Sequence, residues 1–141
     1  MPARSSSAKW EGKLKDGKGT MKVGSGAYEG PFSFVSRFES GDGTNPEELI
    51  AAAHAGCYSM AFSATLEKSG FDPKSVATTA TAHLEKVGDG FAITKIELDM
   101  EAEIPGIDDA KFNELAEAAK NGCPVSKALA GPEISLNAKL K

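Results

Sequence analysis

The chain has 141 residues, 40% of them hydrophobic and 26% charged, with a formal net charge of −4; these are the proportions of one ordinary globular domain over residues 1–141, not of a disordered or fibrous chain. Lys9, Lys13, Lys15, Lys18 and Lys22 are dispersed among Gly, Leu and Asp, so there is no basic patch for nucleic acid. No apolar run is expected to reach the roughly 20 residues that cross a bilayer, and the start Met1–Ser7 lacks the hydrophobic stretch of an export signal, so the expectation is a cytoplasmic, membrane-free protein.

From Ala8 to Phe38 the hydrophobic pattern has period two: Ala8, Trp10, Gly12 and Leu14, then Met21 and Val23, then Phe32, Phe34 and Phe38. Three short strands in an antiparallel meander are predicted, with turns at Asp16–Gly19 and around Gly24, Gly26 and Gly30. On a regular third strand Arg37 would leave the face opposite Phe34 and Phe38.

Thr44 or Asn45, followed by Pro46, Glu47 and Glu48, forms a helix start: a cap, a proline in the first turn and acids against the dipole. The helix can run about 24 residues. Its middle, Leu49 to Phe62, carries no polar stripe, the mark of a helix buried on every side. One small chain has difficulty covering such a helix, and a dimer would supply the missing cover.

Ser75 to Lys86 and Phe91 to Ile104 read as a hairpin around Gly88–Asp89–Gly90. The parity of the apolar positions changes between Ile93 and Ile96, which points to a bulge. Asp108 caps a second, amphipathic helix carrying Phe112, Leu115, Ala116 and Ala119 to a stop at Gly122. A short helical turn over Val125–Leu129 and a last strand alternating Ile134, Leu136, Ala138 and Leu140 follow. Hairpins rather than repeated strand–helix alternation make this an α+β fold: two small antiparallel sheets around a long buried central helix.

The chain has two cysteines, Cys57 and Cys123, too few for a secreted disulfide scaffold, which directs attention to redox or metal chemistry; the alternative is a pair of inert buried thiols. A reactive thiol must ionise. Cys57 lies about three turns inside the long helix, where the dipole no longer acts, so a cation has to come from elsewhere. Arg37 is the candidate, with Glu47 holding it through a bidentate pair. Glu47 and Cys57 are about ten residues apart on one helix, hence about 15 Å along its axis. If both serve one site, either the helix breaks or a second copy lies antiparallel, as a two-fold dimer allows.

Cys123 follows the second helix, where backbone freedom suits a resolving thiol that has to move. His54 shares a helical face with Cys57. A zinc site of His54, Cys57, His83 and Cys123 lacks any C-x-x-C or H-x-x-x-H pair. His54 as the base of a cysteine hydrolase lacks an orienting group, leaving a hydrogen-bonded core or interface histidine. Trp10, Phe32 and Phe34 read as core, although a pocket rimmed by them would suit apolar peroxides.

The run Thr44-Asn45-Pro46-Glu47-Glu48-Leu49-Ile50-Ala51-Ala52-Ala53-His54-Ala55-Gly56-Cys57-Tyr58-Ser59-Met60-Ala61 resembles the helix of the osmotically inducible protein C (OsmC) family. Asn121-Gly122-Cys123-Pro124-Val125-Ser126-Lys127-Ala128-Leu129 resembles that family's second cysteine segment. The likeness extends over essentially the whole chain. It implies an intertwined homodimer with active sites at the interface and a thiol peroxidase acting on organic hydroperoxides, less well on hydrogen peroxide, in oxidative and osmotic stress defence. By position Cys57 matches the peroxidatic cysteine, Cys123 the resolving one, and Arg37 and Glu47 the activating pair. The placement of Arg37 just before the long helix is similar to the osmotically inducible branch rather than the organic hydroperoxide resistance branch. The resemblance further implies no bound metal or flavin and an external, lipoyl-type dithiol as reductant.

Overall fold

A computed structural model describes residues 2–141. The chain divides into two compact units, one ending at Leu49 and the other running from Ile50 to Lys141.

The first unit is an antiparallel meander of β1 (Ser6–Glu11), β2 (Lys18–Val23) and β3 (Glu29–Phe32). Gly19 pairs with Trp10 on one side and Phe32 on the other. The two rings lie with centroids 5.2 Å apart. A Cβ on Gly19 would come within 2.5 Å of Phe32 and 2.7 Å of Trp10, so only glycine lets the rings meet over the middle strand.

The third strand is shorter than its pattern suggests. Phe34–Phe38 forms a helical turn, α1, and Arg37 therefore projects from a helix instead of a strand. The local chemistry explains the difference. Ser33 accepts from the N–H of Ser36 while Ser36 Oγ accepts from the N–H of Ser33, a reciprocal cap that starts a helix. Phe34 and Phe38, four residues apart, then stack on one face with centroids 4.9 Å apart. Ser36 Oγ also donates to the carbonyl of Thr44 at 2.7 Å, and Asn45 Nδ2 donates to the carbonyl of Ser36 at 2.9 Å. These bonds tie α1 to the start of α2 (Pro46–Lys68). Asn45, rather than Thr44, is the cap: its Oδ1 accepts from the N–H of Glu48 at 2.8 Å.

The second unit holds most of α2, the strands β4 (Ser75–Val87), β5 (Gly90–Glu103) and β6 (Glu133–Leu140), and the helices α3 (Asp109–Gly122) and α4 (Pro124–Ala128). The β4–β5 hairpin contains the expected bulge. His83 pairs with Lys95 and Leu84 with Ile93, leaving Thr94 as the extra residue. This second sheet is not wholly antiparallel, because β6 runs parallel to β5. A parallel neighbour needs a crossover, and α3 with α4 supplies it. Asp108 caps α3 by accepting from the N–H of Lys111 at 2.7 Å.

The core of this unit joins Tyr58, Phe62 and Leu66 of α2, the alternating Ile96, Leu98, Met100 and Ala102 of β5, and Phe112, Leu115, Ala116 and Ala119 of α3. Phe62 meets Phe112 edge-on at 5.7 Å. The buried face of α2 is thus one stripe. Ala52, Ala53, Gly56, Met60 and Ala64 are exposed in the single chain, Met60 at 76%. At 23 residues α2 is also long and apolar enough, by length and composition, to cross a bilayer, contrary to the expectation that no segment reaches that threshold. Alanines and glycine raise its apolar content without widening its buried stripe.

Candidate active site

The four residues singled out in the sequence fall into two pairs, one in each unit. In the first unit α1 and the first turn of α2 bring Arg37 to Glu47. The guanidinium donates from Nη2 at 2.9 Å and from Nε at 3.2 Å, both to the same oxygen, Oε1. The pair is therefore not the fork-to-fork arrangement expected. Glu47 is buried and its Oε2 has no partner.

Arg37 also lies over the ring of Phe38, 5.3 Å from its centroid, a cation–π contact that fixes the plane of the guanidinium. Beside it a cavity of 180 Å³ is lined by Trp10, Leu14, Phe32, Phe34, Arg37 and Phe38. The aromatic residues read from the sequence as core are therefore the walls of an open cavity. Leu14 and Phe38, not singled out in the sequence, complete it. One cation set in an apolar wall suits a ligand with an apolar body and a polar, electron-rich end.

In the second unit the two sulfurs meet, Cys123 Sγ lying 2.9 Å from Cys57 Sγ with both cysteines free. Cys123 is fully buried. It is the last cap of α3, donating its N–H to the carbonyl of Ala119, and the first residue before α4. The backbone freedom expected at this position is absent, because the residue is clamped between two helices. The sulfur already lies beside its partner and needs only a short approach.

Burial drives the Cys57 thiol up, and its hydrogen bond with Cys123 adds to that. Burial also resists ionisation of Cys123, but the hydrogen bond with Cys57 and the polar hydrogens of Ser126 and Val125 outweigh it and bring that thiol down. Within this unit Cys57 therefore holds its proton more tightly than Cys123 does. A nucleophilic Cys57 needs a cation beyond these neighbours.

His54, fully buried one turn before Cys57, has its Nε2 2.7 Å from Ser126 Oγ and no partner at Nδ1. Burial lowers its pKa. Tyr58 donates its hydroxyl to the carbonyl of Ala116 at 3.0 Å. His83 is spent elsewhere, bonding Glu97 at 2.8 Å on β5. Among the described residues no group of three metal-ligating side chains forms, so the four-residue zinc arrangement weighed from the sequence is not assembled. Ser126 lies inside the second cysteine motif but escaped notice there, since a lone serine carries no spacing signal.

Residues 39–138 match the family model described as OsmC-like protein. The chain is 53% identical to the peroxiredoxin OsmC of Escherichia coli (strain K12) over 135 residues, covering 95% of this chain and 94% of that one. It is 33% identical to the organic hydroperoxide resistance protein of Xanthomonas axonopodis pv. citri (strain 306) over 92 residues, 64% and 63% of the two chains. Among solved structures, the organic hydroperoxide resistance protein OhrB of Bacillus subtilis superposes with a TM-score of 0.70 at 25% identity, covering 97% of this chain and 98% of that one.

Proposed function

This chain belongs to the OsmC-like protein family, and from that premise we propose that it is a cysteine-based peroxidase that reduces organic hydroperoxides, and hydrogen peroxide less well, in oxidative and osmotic stress defence. The observation that carries the reading is the 2.9 Å separation of two free thiols, Cys123 buried and Cys57 half-buried. The names of the relatives in Escherichia coli and Xanthomonas support it.

The Cys57 thiolate attacks one peroxide oxygen, the O–O bond breaks, and the departing alkoxide takes a proton to leave as alcohol. Cys57 becomes a sulfenic acid. Cys123 displaces its hydroxyl to close a disulfide, which protects Cys57 from overoxidation. An external dithiol, of lipoyl type, then exchanges with the disulfide and restores both thiols. No bound metal or organic cofactor takes part.

Arg37, held by Glu47, lowers the pKa of Cys57 and stabilises charge on the leaving oxygen. The apolar cavity beside Arg37 receives the organic part of the substrate. Because Glu47 and Cys57 stand about ten residues apart on one helix, the Arg37–Glu47 pair of one subunit serves Cys57 of the other in a homodimer. The exposed face of α2 from Ala52 to Ala64 supports that arrangement. The enzyme works in the cytoplasm, where its thiols stay reduced between turnovers.

The test is a titration of reduced protein with cumene hydroperoxide while free thiols are counted. Two thiols per chain disappear and dihydrolipoamide returns both. Retention of both thiols with excess peroxide would remove the peroxidase reading.

A further inference from the structure

The cavity beside Arg37 has a second cation at its mouth. The turn between β1 and β2 is closed by the N–H of Gly17 donating to the carbonyl of Lys13 at 2.8 Å, which sets Leu14 and Lys15 at its crest. Leu14 is 59% exposed yet lines the cavity, so the crest is the rim. Lys15 Nζ stands over the ring of Phe34, 5.9 Å from its centroid. Phe34 in turn packs on Phe38, the ring beneath the Arg37 guanidinium. One aromatic wall thus carries a cation at either end.

The two cations are not equivalent. Arg37 gives both Nε and Nη2 to Glu47, whose buried carboxylate cancels its charge, and Nη1 takes no part in that pair. Lys15 forms no salt bridge among the described residues. A neutral, electron-rich group therefore suits the Arg37 end, where an added anion would meet the Glu47 carboxylate, and a negative group suits the Lys15 end. Volume sets how far apart the two groups stand. A cavity of about 150 Å³ holds a benzene ring, so the 180 Å³ here takes one ring or a comparable alkyl run. A longer ligand emerges over the crest of Leu14 and Lys15.

We propose that Lys15 is an anion-recognition residue at the mouth of this cavity, and that the preferred ligand is a medium-chain hydroperoxide with a carboxylate at the end remote from the O–O bond. The hydroperoxide half of the ligand rests on the peroxidase reading above; the carboxylate half does not. Lys15 selects and orients the ligand and takes no part in breaking the O–O bond.

Trp10 is the only tryptophan of the chain and lines the cavity, so its fluorescence follows occupancy without any peroxide. Octanoate binds about two- to fivefold tighter than octanamide, the range of an exposed ion pair, and the preference shrinks as salt is raised. Lys15→Met removes the preference by weakening octanoate alone. Lys15→Arg keeps it, and so does Lys13→Met on the same turn. Equal binding of the two probes to the parent protein overturns the proposal, as does a preference that persists in Lys15→Met. An equal weakening of both probes in Lys15→Met marks a packing role, and a loss in Lys13→Met as large as in Lys15→Met marks a diffuse field; either result overturns it too. In turnover, Lys15→Met raises the KM for ω-hydroperoxyoctanoate by the same factor, leaves kcat alone and does not change either value for octyl hydroperoxide. A protein that tells octanoate from octanamide through Lys15 but consumes neither hydroperoxide upholds the anion site and refutes the peroxidase reading alone.

Discussion

The Sγ atoms of Cys57 and Cys123 lie 2.9 Å apart although 66 residues separate them along the chain. Disulfide closure from there needs roughly 1 Å of approach, a movement within the reach of side-chain rotation. The helices α2, α3 and α4 that hold the two residues can stay where they are.

Division of labour between the two sulfurs follows. Cys57→Ser abolishes peroxide turnover. Cys123→Ser consumes about one peroxide per chain and then stalls as sulfenic acid or proceeds to sulfinic acid. Intact-mass spectrometry after stoichiometric peroxide reads both outcomes, and a Cys123→Ser protein that turns over repeatedly with dithiol contradicts the assignment.

Arg37→Ala removes the partner of a buried carboxylate whose other oxygen is already unpaired. The pH at which Cys57 is alkylated rises, and the fold loses about 1–3 kcal/mol in a urea titration. Mixing Cys57→Ser chains with Glu47→Ala chains restores part of the activity, because one of the two sites in the mixed dimer is then complete. Absence of rescue counts against the composite site.

Met60 stands 76% exposed in the middle of the open stripe of α2. Met60→Glu places a charge where a second copy would pack, and sedimentation velocity finds the variant monomeric while the parent sediments as a dimer. A monomeric parent at micromolar concentration rules out the two-fold arrangement.

His54 makes stability depend on pH in a stated direction. Its folded pKa lies below the ordinary value of 6.5 because burial disfavours the charged ring. The unfolded chain therefore binds the proton first as pH falls, so stability is fully present above about 6.5 and declines below it. In His54→Gln that decline is absent. Glu97, held below the ordinary carboxylate range by its hydrogen bond from His83 and by Lys95, contributes in a lower window, below about 4.5. Urea midpoints measured between pH 7 and pH 5 isolate the histidine.

Much of this architecture was legible because it is written in local periods. The alternation of Ile96, Leu98, Met100 and Ala102 marks a strand with one buried face, and the phase jump after Ile93 marks the bulge where Thr94 stands. Asp108 and Asn45 cap the helices their types suggest. The misreadings share a cause. Phe32, Phe34 and Phe38 satisfy period two, yet the last pair equally satisfies a spacing of four, and the Ser33–Ser36 cap decides for helix. The parallel pairing of β6 with β5 is a long-range choice with no local mark. At the site, the residue types were visible, and the family resemblance assigned their roles. The meeting of Cys57 with Cys123, and of His54 with Ser126, depends on how α4 docks, which no spacing in the chain encodes.

The extra residue at Thr94 constrains how this hairpin can change length. Deleting one residue from β5 on the tip side of the pairing between Ile93 and Leu84 would turn Phe91 to the opposite face, whereas deleting Thr94 itself leaves Lys95 opposite His83 and Ile93 opposite Leu84 and only straightens the ladder. Insertions and deletions are therefore tolerated in pairs, by loss of Thr94 itself, or at the Gly88–Asp89–Gly90 tip, where no pleat has to be kept in phase.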